Sequence, residues 1–286
     1  MLAGGRPATT ANRRLQAVVS AFTTGYRAAT FTATPDLGDV PRDLRGFAVE
    51  GAAMSFTLQG ALEPPMTKLH DFAAAVPAHS FLVSIGAGVA LGRLGRTPPD
   101  FEMAANPELG YILYDGWGFY EALFHSRRFL ERRAVPQVDT ESAAARAFDQ
   151  GLGRGIWFRY NGDVRSVVES VSGFVAERRP DIWSGLGFAA AYAGGIDDAS
   201  AVRLAAASDR VSAAVGASLA TAVRLQSDES WEVTERIATA FSAVSPDHSL
   251  SLLARARATA TGADVYLEWH DLIRRSLSPQ TAPGSG

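Results

Sequence analysis

The apolar residues of this chain recur mainly every three or four positions, the spacing of one face of an α-helix. Residues 11–29, ANRRLQAVVSAFTTGYRAA, follow this pattern, and residues 163–180 follow it between a capping Asp163 and a stop at Pro180. The best strand candidates are residues 80–86, SFLVSIG, and 110–116, GYILYDG, but such short apolar runs also fit the start of a buried helix. The pattern predicts an all-α protein.

A short glycine motif recurs along this helical pattern. A glycine followed two positions later by Gly, Ala or Ser occurs at intervals of 30 to 35 residues. A period near 33 residues is what two helices and two turns require. A glycine inside a helix costs about 1 kcal/mol relative to alanine, and close approach of a neighbouring backbone is the usual compensation. The leading glycines are Gly51, Gly86, Gly116, Gly151, Gly185 and Gly216.

These intervals predict about six helical-hairpin repeats of roughly 33 residues, with each glycine near the start of its second helix. The repeats would form an open solenoid or close into an α/α toroid with a central cavity. Chance is the alternative, because the chain has 27 glycines and abundant alanine. We predict one helical repeat domain over residues 9–275, a disordered N-terminus over 1–8 and a disordered tail over 276–286. Residues 92–110 and 126–141 are predicted to be linkers or loop-rich connections.

Composition excludes several classes of partner and site. The net charge is −3, so no broad basic field exists to gather nucleic acid or anionic lipid. Cysteine is absent, which excludes disulfides, thiolate zinc sites and a cysteine nucleophile. No run of eighteen apolar residues and no secretory leader is found, so we expect no membrane span and a cytoplasmic location. The oligomeric state stays open, with a homodimer among the alternatives.

Motifs for metals and cofactors are missing as well. The five histidines form neither HxxH nor HExxH, and Asp197 and Asp198 lack the third acid of a terpene-synthase metal cluster. GAGVALG lacks the third glycine of a dinucleotide fingerprint, and no phosphate loop or GxSxG elbow occurs. We therefore expect neither a metal nor a cofactor.

Four segments of the sequence, in this order and at these distances, are similar to the bacterial domain-of-unknown-function family 1702. They are FAVEGAAM, YDGWGFYEALF, FDQGLGRGIWF and WSGLGFAAAYAGG, and the resemblance covers about residues 10–270. Members of that family are often described as enediyne biosynthesis proteins. The resemblance implies a polyketide or terpenoid natural-product pathway in an actinomycete, with other pathway enzymes as partners. It supplies no catalytic residues, but Glu50, Asp115, Asp149, Gln150 and Arg154 occupy the positions of the family's polar signature.

The residues just before the repeat glycines include the main candidates for catalysis. If the repeats superpose, these side chains point in equivalent directions, towards one cavity or concave face. A buried carboxylate without a partner has a raised pKa, which suits Glu50, Asp115 and Asp149 to proton transfer. The alternative is that these acids cap the helices that bear the glycines. Arg154, in an apolar segment, needs a partner, which is Asp149 or another acid, or else a ligand carboxylate or carrier phosphate.

Aromatic residues gather near the same glycines, either as core or as the wall of a pocket for a long polyene or isoprenoid. Ring faces could also stabilise a carbocation. Glu121 and His125 lie one helical turn apart and could hydrogen-bond, which is more often a surface contact. The predicted ligand-binding residues are Gln150, Arg154, Trp117, Phe119, Tyr120, Trp157 and Tyr192.

The sequence thus predicts a protein that binds a hydrophobic biosynthetic intermediate and acts on it without metal or nucleotide. Cyclisation or isomerisation by acid–base catalysis is the concrete form of this hypothesis. A non-catalytic carrier of the same apolar molecule is the first alternative. A scaffold that presents a concave surface to other proteins is the second.

Overall fold

The computed structural model describes residues 10–62, 66–98, 110–138, 142–227, 229, 232–262 and 264–278. Every regular element in these ranges is helical, so the all-α prediction is confirmed. Both candidate strands lie at the starts of helices. The α-helices are α1 (Thr10–Phe31), α2 (Arg45–Leu62), α3 (Thr67–Ala75), α4 (Ser80–Leu94), α5 (Ile112–Phe124), α6 (Ala143–Arg159), α7 (Val164–Ser172), α8 (Arg179–Ala193), α9 (Asp198–Ala207), α10 (Arg210–Gln226), α11 (Glu232–Phe241), α12 (Pro246–Thr259) and α13 (Asp264–Leu277).

Local sequence signals set several of these helix ends. The side chain of Asp163 accepts a hydrogen bond from the backbone N–H of Ser166 and caps α7, as predicted. That helix stops at Ser172, before the predicted stop at Pro180. Pro180 instead lies in the first turn of α8, which ends before Gly194 with its φ of 68°.

The predicted ends and linkers lie partly within the described residues. Helix α13 continues to Leu277, so the first two residues of the predicted tail are helical, while residues 1–9 and 279–286 lie outside the described part. The first linker begins inside α4, and its residues 99–109 are likewise outside. The second contains a short π-helical segment, Arg127–Glu131.

The six repeat glycines lie in the interiors of α2, α4, α5, α6, α8 and α10. Gly116 is the fifth residue of α5 and Gly151 the ninth of α6, so the predicted position near the helix start is wrong by up to two turns. Each of these helices packs extensively against the next one in chain order, and α1 packs against α2 in the same way. Together α1 and the six glycine-bearing helices form a continuous row.

The glycines are the points of closest contact in this row. A methyl group built on Gly116 would overlap the backbone carbonyl of Ile85 in α4, and one built on Gly151 would overlap that of Asp115 in α5. Alanine therefore cannot replace either glycine without moving a backbone. The recurring contacts pair the carbonyl of Phe22 with Gly51, Glu50 with Gly86, Ile85 with Gly116, Asp115 with Gly151, Gln150 with Gly185, and Ser184 with Gly216.

A second set of contacts fixes the relative direction of neighbouring helices. Gly116 meets Ile85, whereas Leu113, three residues earlier in α5, meets Gly88, three residues later in α4. A step forward along one helix is thus a step backward along its neighbour, so α4 and α5 are antiparallel. The pairs α5 with α6, α6 with α8 and α8 with α10 show the same relation through Gly118, Gly153 and Gly187.

The row bends so that helices distant along it share an interior. The ring of Phe81 in α4 stacks on Phe188 in α8 with centroids 5.3 Å apart. Phe47 in α2 meets Tyr192 in α8 edge to face at 5.0 Å. Helix α13 approaches the same interior, where the ring centroid of Tyr266 lies 6.1 Å from that of Phe81.

No single helix in the described ranges is both long enough and apolar enough to cross a membrane. One bent pair, Thr67–Ala75 with Pro77–Leu94, meets both criteria when its two parts are taken together, with a bend of 102° between them.

We expect Gly116→Ala to lower the free energy of unfolding by about 2 to 3 kcal/mol, because the new methyl group must push α4 and α5 apart. Urea unfolding followed by the helical circular-dichroism signal measures the change. The matched control is Gly60→Ala in the last turn of α2, where the nearest atom, in Met66, lies 3.0 Å from the new methyl group, against 2.2 Å for the Ile85 carbonyl at Gly116. That variant should stay within about 1 kcal/mol of the parent. Equal effects of the two substitutions would contradict the role of close packing.

Candidate functional site

An apolar cavity of about 530 Å³ lies between α1, α2, α4, α5 and α6. Most of its wall is aliphatic or aromatic, from side chains such as Val18, Met54, Val89 and Leu123. Polar lining side chains include Glu50 and Arg154, together with Gln16, Arg93 and Asn161. We call this space the apolar cavity.

Glu50 is placed in the wall of the cavity by the packing of α2. Its backbone carbonyl faces Gly86 of α4, and its carboxyl group is turned into the interior, where the residue is only 3% exposed. Within the described residues no hydrogen bond reaches this carboxyl, and its ion-pair contact is the Nη2 of Arg154 at 3.8 Å. Glu50 therefore presents a largely unpartnered acid to an apolar space.

Arg154 binds a second buried acid much more closely. Its Nη1 donates a hydrogen bond of 2.6 Å to Oδ1 of Asp115, and both residues are buried. The guanidinium also lies against two aromatic rings, 5.2 Å from the centroid of Phe119 and 5.3 Å from that of Phe188. Arg154 is thus held between an acid and two rings, an arrangement suited to a planar cation.

Burial dominates the electrostatics of this group. It raises the pKa of Glu50 to about 7. Arg154 acts in the opposite sense and lowers this pKa, whereas the charge of Asp115 raises it further. Burial also raises the pKa of Asp115, although Arg154 acts in the opposite sense. Because Arg154 donates directly to Asp115 and stays 3.8 Å from Glu50, Glu50 is the acid that holds a proton near neutral pH.

Two of the predicted ligand-binding aromatics, Phe119 and Tyr120, line the cavity. Phe22, Phe47, Phe124 and Phe158 also line it. Since Arg154 covers one face of Phe119, that ring has less surface free for a ligand. The wall therefore offers several aromatic edges and faces around one acid.

The third predicted acid, Asp149, lies in a separate ion pair. Arg178 donates to both of its carboxylate oxygens, with N···O distances of 2.9 and 2.5 Å. Of the alternatives for Arg154, Asp149 or another acid, the second is confirmed, because Asp115 is its partner. The capping interpretation is wrong for Glu50 and Asp149, which lie in helix interiors, and Ser142 caps α6.

Gln150 belongs to another buried cluster, formed with α13. The Tyr266 hydroxyl donates to its side-chain oxygen, and its amide nitrogen lies 3.4 Å from Nε2 of His270. The same His270 nitrogen is 2.9 Å from Oγ of Ser184. Burial lowers the pKa of His270, which favours the neutral form of its ring.

The other predicted aromatics have partners in the core. The Trp157 ring nitrogen donates to the carbonyl of Gly194 at 3.1 Å, and that of Trp117 donates to Glu121 at 3.1 Å. The Tyr192 hydroxyl donates to Glu229 at 2.8 Å. These contacts place the three rings in structural roles outside the lining of the apolar cavity.

A buried ion pair that no sequence motif indicated lies beside Tyr192. Arg224 donates to Glu229 at 2.6 Å and to the carbonyl of Asp43 at 2.9 Å, and its guanidinium lies 3.9 Å from the Tyr192 ring centroid. Its members come from three separate parts of the chain, so no local spacing could reveal the whole cluster. The Glu121 and His125 pair, in contrast, is confirmed as a hydrogen bond of 2.6 Å.

In the described ranges no group of three or more His, Asp and Glu side chains is placed to hold a metal ion.

Comparison with known proteins gives one finding. Neither a curated protein nor a solved structure matches the chain. A family model described as "Protein of unknown function (DUF1702)" matches residues 5–277, nearly the whole chain, in agreement with the resemblance seen in its glycine-rich segments. The chain belongs to the DUF1702 family.

Proposed function

We propose that this protein binds a hydrophobic intermediate of a bacterial natural-product pathway in the apolar cavity and cyclises or isomerises it by proton transfer through Glu50. A polyene or an isoprenoid is the class of molecule that fits best. The observation that carries the proposal is the placement of one buried carboxyl group, which accepts no hydrogen bond from the described residues, in the wall of a cavity that is otherwise mostly apolar.

The size and wall of the cavity support binding of a small apolar molecule. Its volume of about 530 Å³ falls inside the ~300–1,000 Å³ of typical ligand pockets. Burial of apolar surface contributes roughly 25 cal/mol per Å². A long hydrocarbon chain would therefore be retained without many polar contacts, and the few polar groups present would orient it.

The pKa of Glu50 supports proton transfer. A general acid or base works best when its pKa lies near the working pH, and burial raises that of Glu50 to about 7. Glu50 could give its proton to a double bond and remove a proton at another carbon of the same chain, which balances an isomerisation. Asp115 does not line the cavity, and its contact with Arg154 makes it a positioning residue in this proposal.

The arrangement of the helices as repeats around an axis is also part of this proposal. We propose that the six glycine-bearing helices are copies of one unit, arranged around a central axis as in a toroid. The recurring pairing of a carbonyl with the next glycine supports the repeat. Contacts across the interior, such as Arg154 of α6 with Glu50 of α2, support a closed arrangement over an open solenoid.

The carrier remains the second candidate, because the same cavity would hold an apolar molecule whether or not it reacts. The scaffold is favoured less, because the interior between the helices holds buried side chains and an apolar cavity instead of a polar concave face.

We expect Met54→Trp to abolish retention of a small apolar molecule, because the indole would fill part of the cavity that Met54 lines. Native mass spectrometry of the purified chain, followed by solvent extraction, measures retention. Leu62→Trp is the matched control, since Leu62 lies in the same helix but is 80% exposed. If Met54→Trp and the parent carry the same ligand, the molecule is bound elsewhere.

We expect Glu50→Gln to keep the bound molecule but lose its reaction. When the extracted molecule is incubated with the parent in D₂O, proton transfer should introduce deuterium, which mass spectrometry detects. The variant should introduce it at least about 100 times more slowly, the usual contribution of a general acid or base. Glu169→Gln, at an exposed position, serves as the control. Binding without deuterium uptake by the parent would favour the carrier.

Glu50 should also make stability depend on pH. Below pH 4.5 this carboxyl is protonated in both states, whereas between pH 4.5 and 7 the unfolded chain has released the proton that the folded chain retains. The parent should therefore lose stability relative to Glu50→Gln as pH rises through this window, by roughly 3 kcal/mol in all. Urea unfolding of both proteins at pH 5, 6 and 7 measures the difference. A constant difference would show that Glu50 titrates normally.

A further inference from the structure

A second cleft, of about 830 Å³, has four arginines among its lining residues. It lies where the end of α5, the π-helical segment and the end of α4 come together. We call it the arginine cleft. Its basic lining residues are Arg96, Arg127, Arg128, Arg132 and His125.

Among the described residues that line this cleft, a single acid stands against four arginines. Glu121 is its acidic lining residue, and it is already bonded to His125 at 2.6 Å and to the ring nitrogen of Trp117 at 3.1 Å. Among residues that the structure describes, Arg96, Arg127 and Arg132 have no hydrogen-bond or ion-pair partner for their guanidinium groups. Several arginines around one cleft favour an anion that carries more than one charge. Phosphate is such an anion, and a guanidinium group can bind two of its oxygens through two parallel hydrogen bonds.

The arginine cleft adjoins the apolar cavity. Phe124 lines both spaces. Gly92 lines the cleft and packs against the ring of Tyr120, which lines the cavity. Along the same stretch of chain, Arg93 lines the cavity and Arg96 lines the cleft. One elongated molecule could therefore occupy both spaces at once.

We propose that the arginine cleft binds the phosphate or diphosphate end of a ligand whose apolar chain lies in the apolar cavity. This inference rests on the proposed function and narrows its substrate class to phosphorylated hydrocarbon chains. The cleft binds and orients the charged end, and Glu50 acts on the apolar part. These two roles agree with the exposure of the residues, since the arginines are exposed whereas Glu50 is buried among apolar side chains.

The test compares three probes with the full chain by isothermal titration calorimetry: farnesol, farnesyl diphosphate and inorganic pyrophosphate. Farnesol measures the apolar cavity alone, and pyrophosphate measures the arginine cleft alone. The variant is Arg127→Gln with Arg132→Gln, which removes two exposed charges. The matched control is Arg203→Gln with Arg255→Gln, which removes two exposed charges on α9 and α12.

We expect farnesyl diphosphate to bind the parent at least about tenfold more tightly than farnesol, as one strong charge-assisted contact would give. The cleft variant should reduce this preference to about twofold and abolish pyrophosphate binding, with farnesol affinity unchanged. The control should behave as the parent. Molar salt should weaken only the two phosphorylated probes.

Failure of the inference can be told apart from failure of the proposed function. If farnesol binds and the diphosphate binds no more tightly, or if the cleft variant keeps the preference, the arginine cleft has no role and the inference is overturned. If pyrophosphate binds through the arginines, but farnesol does not bind and farnesyl diphosphate binds no more tightly than pyrophosphate, the proposed function fails. The inference that one ligand occupies both the cleft and the cavity then fails as well.

Discussion

The close approach of antiparallel helix backbones at glycine is the constraint on which this structure depends. In each glycine-bearing helix after α2, the leading glycine contacts one backbone carbonyl of the preceding glycine-bearing helix. That carbonyl belongs to the residue just before the preceding helix's own leading glycine. That contact fixes the rotation of both helices, because a carbonyl directed at a neighbour leaves the side chain of its own residue no room on that side. The side chain is directed towards the interior instead. The residues before all six glycines are accordingly buried, including Glu50, Asp115 and Gln150.

This geometry places two acids, Glu50 and Asp115, beside a single arginine, Arg154. Buried carboxylates are costly unless they are paired, and the interior holds Arg154 as the partner for both Glu50 and Asp115. Arg154 lies within hydrogen-bonding distance of Asp115 only. One neutral ion pair then forms, and the remaining acid keeps its proton because ionisation would leave an extra buried charge. Burial is the main cause of the raised pKa of Glu50. Arg154 lowers that pKa, and the second acid, Asp115, raises it further.

The sequence predicted the helical class, the helix over residues 11–29 and the special role of the six glycines, because each of these depends on local spacing. Burial of the acids beside those glycines was one of two alternatives that the sequence left open, the other being a helix cap. It could not predict that neighbouring glycine helices are antiparallel or that Arg154 selects Asp115 over Asp149, since both depend on which helices meet in space. The contact of His270 with Gln150 was missed for the same reason, whereas Arg224 and Glu229 are only five residues apart and pair across the end of α10.

The three predicted acids differ in what surrounds each of them. Asp149 is bound through both oxygens to Arg178, and Asp115 is bound to Arg154, so a proton transferred to either acid would first have to break a strong charge-assisted contact. Glu50 has no contact this close to lose, and it faces the apolar cavity. Because all three acids are buried, burial alone does not distinguish them. The absence of a close donor at Glu50, within the described residues, is what separates this carboxyl group, for which we propose proton exchange with a ligand, from the two acids that arginines bind.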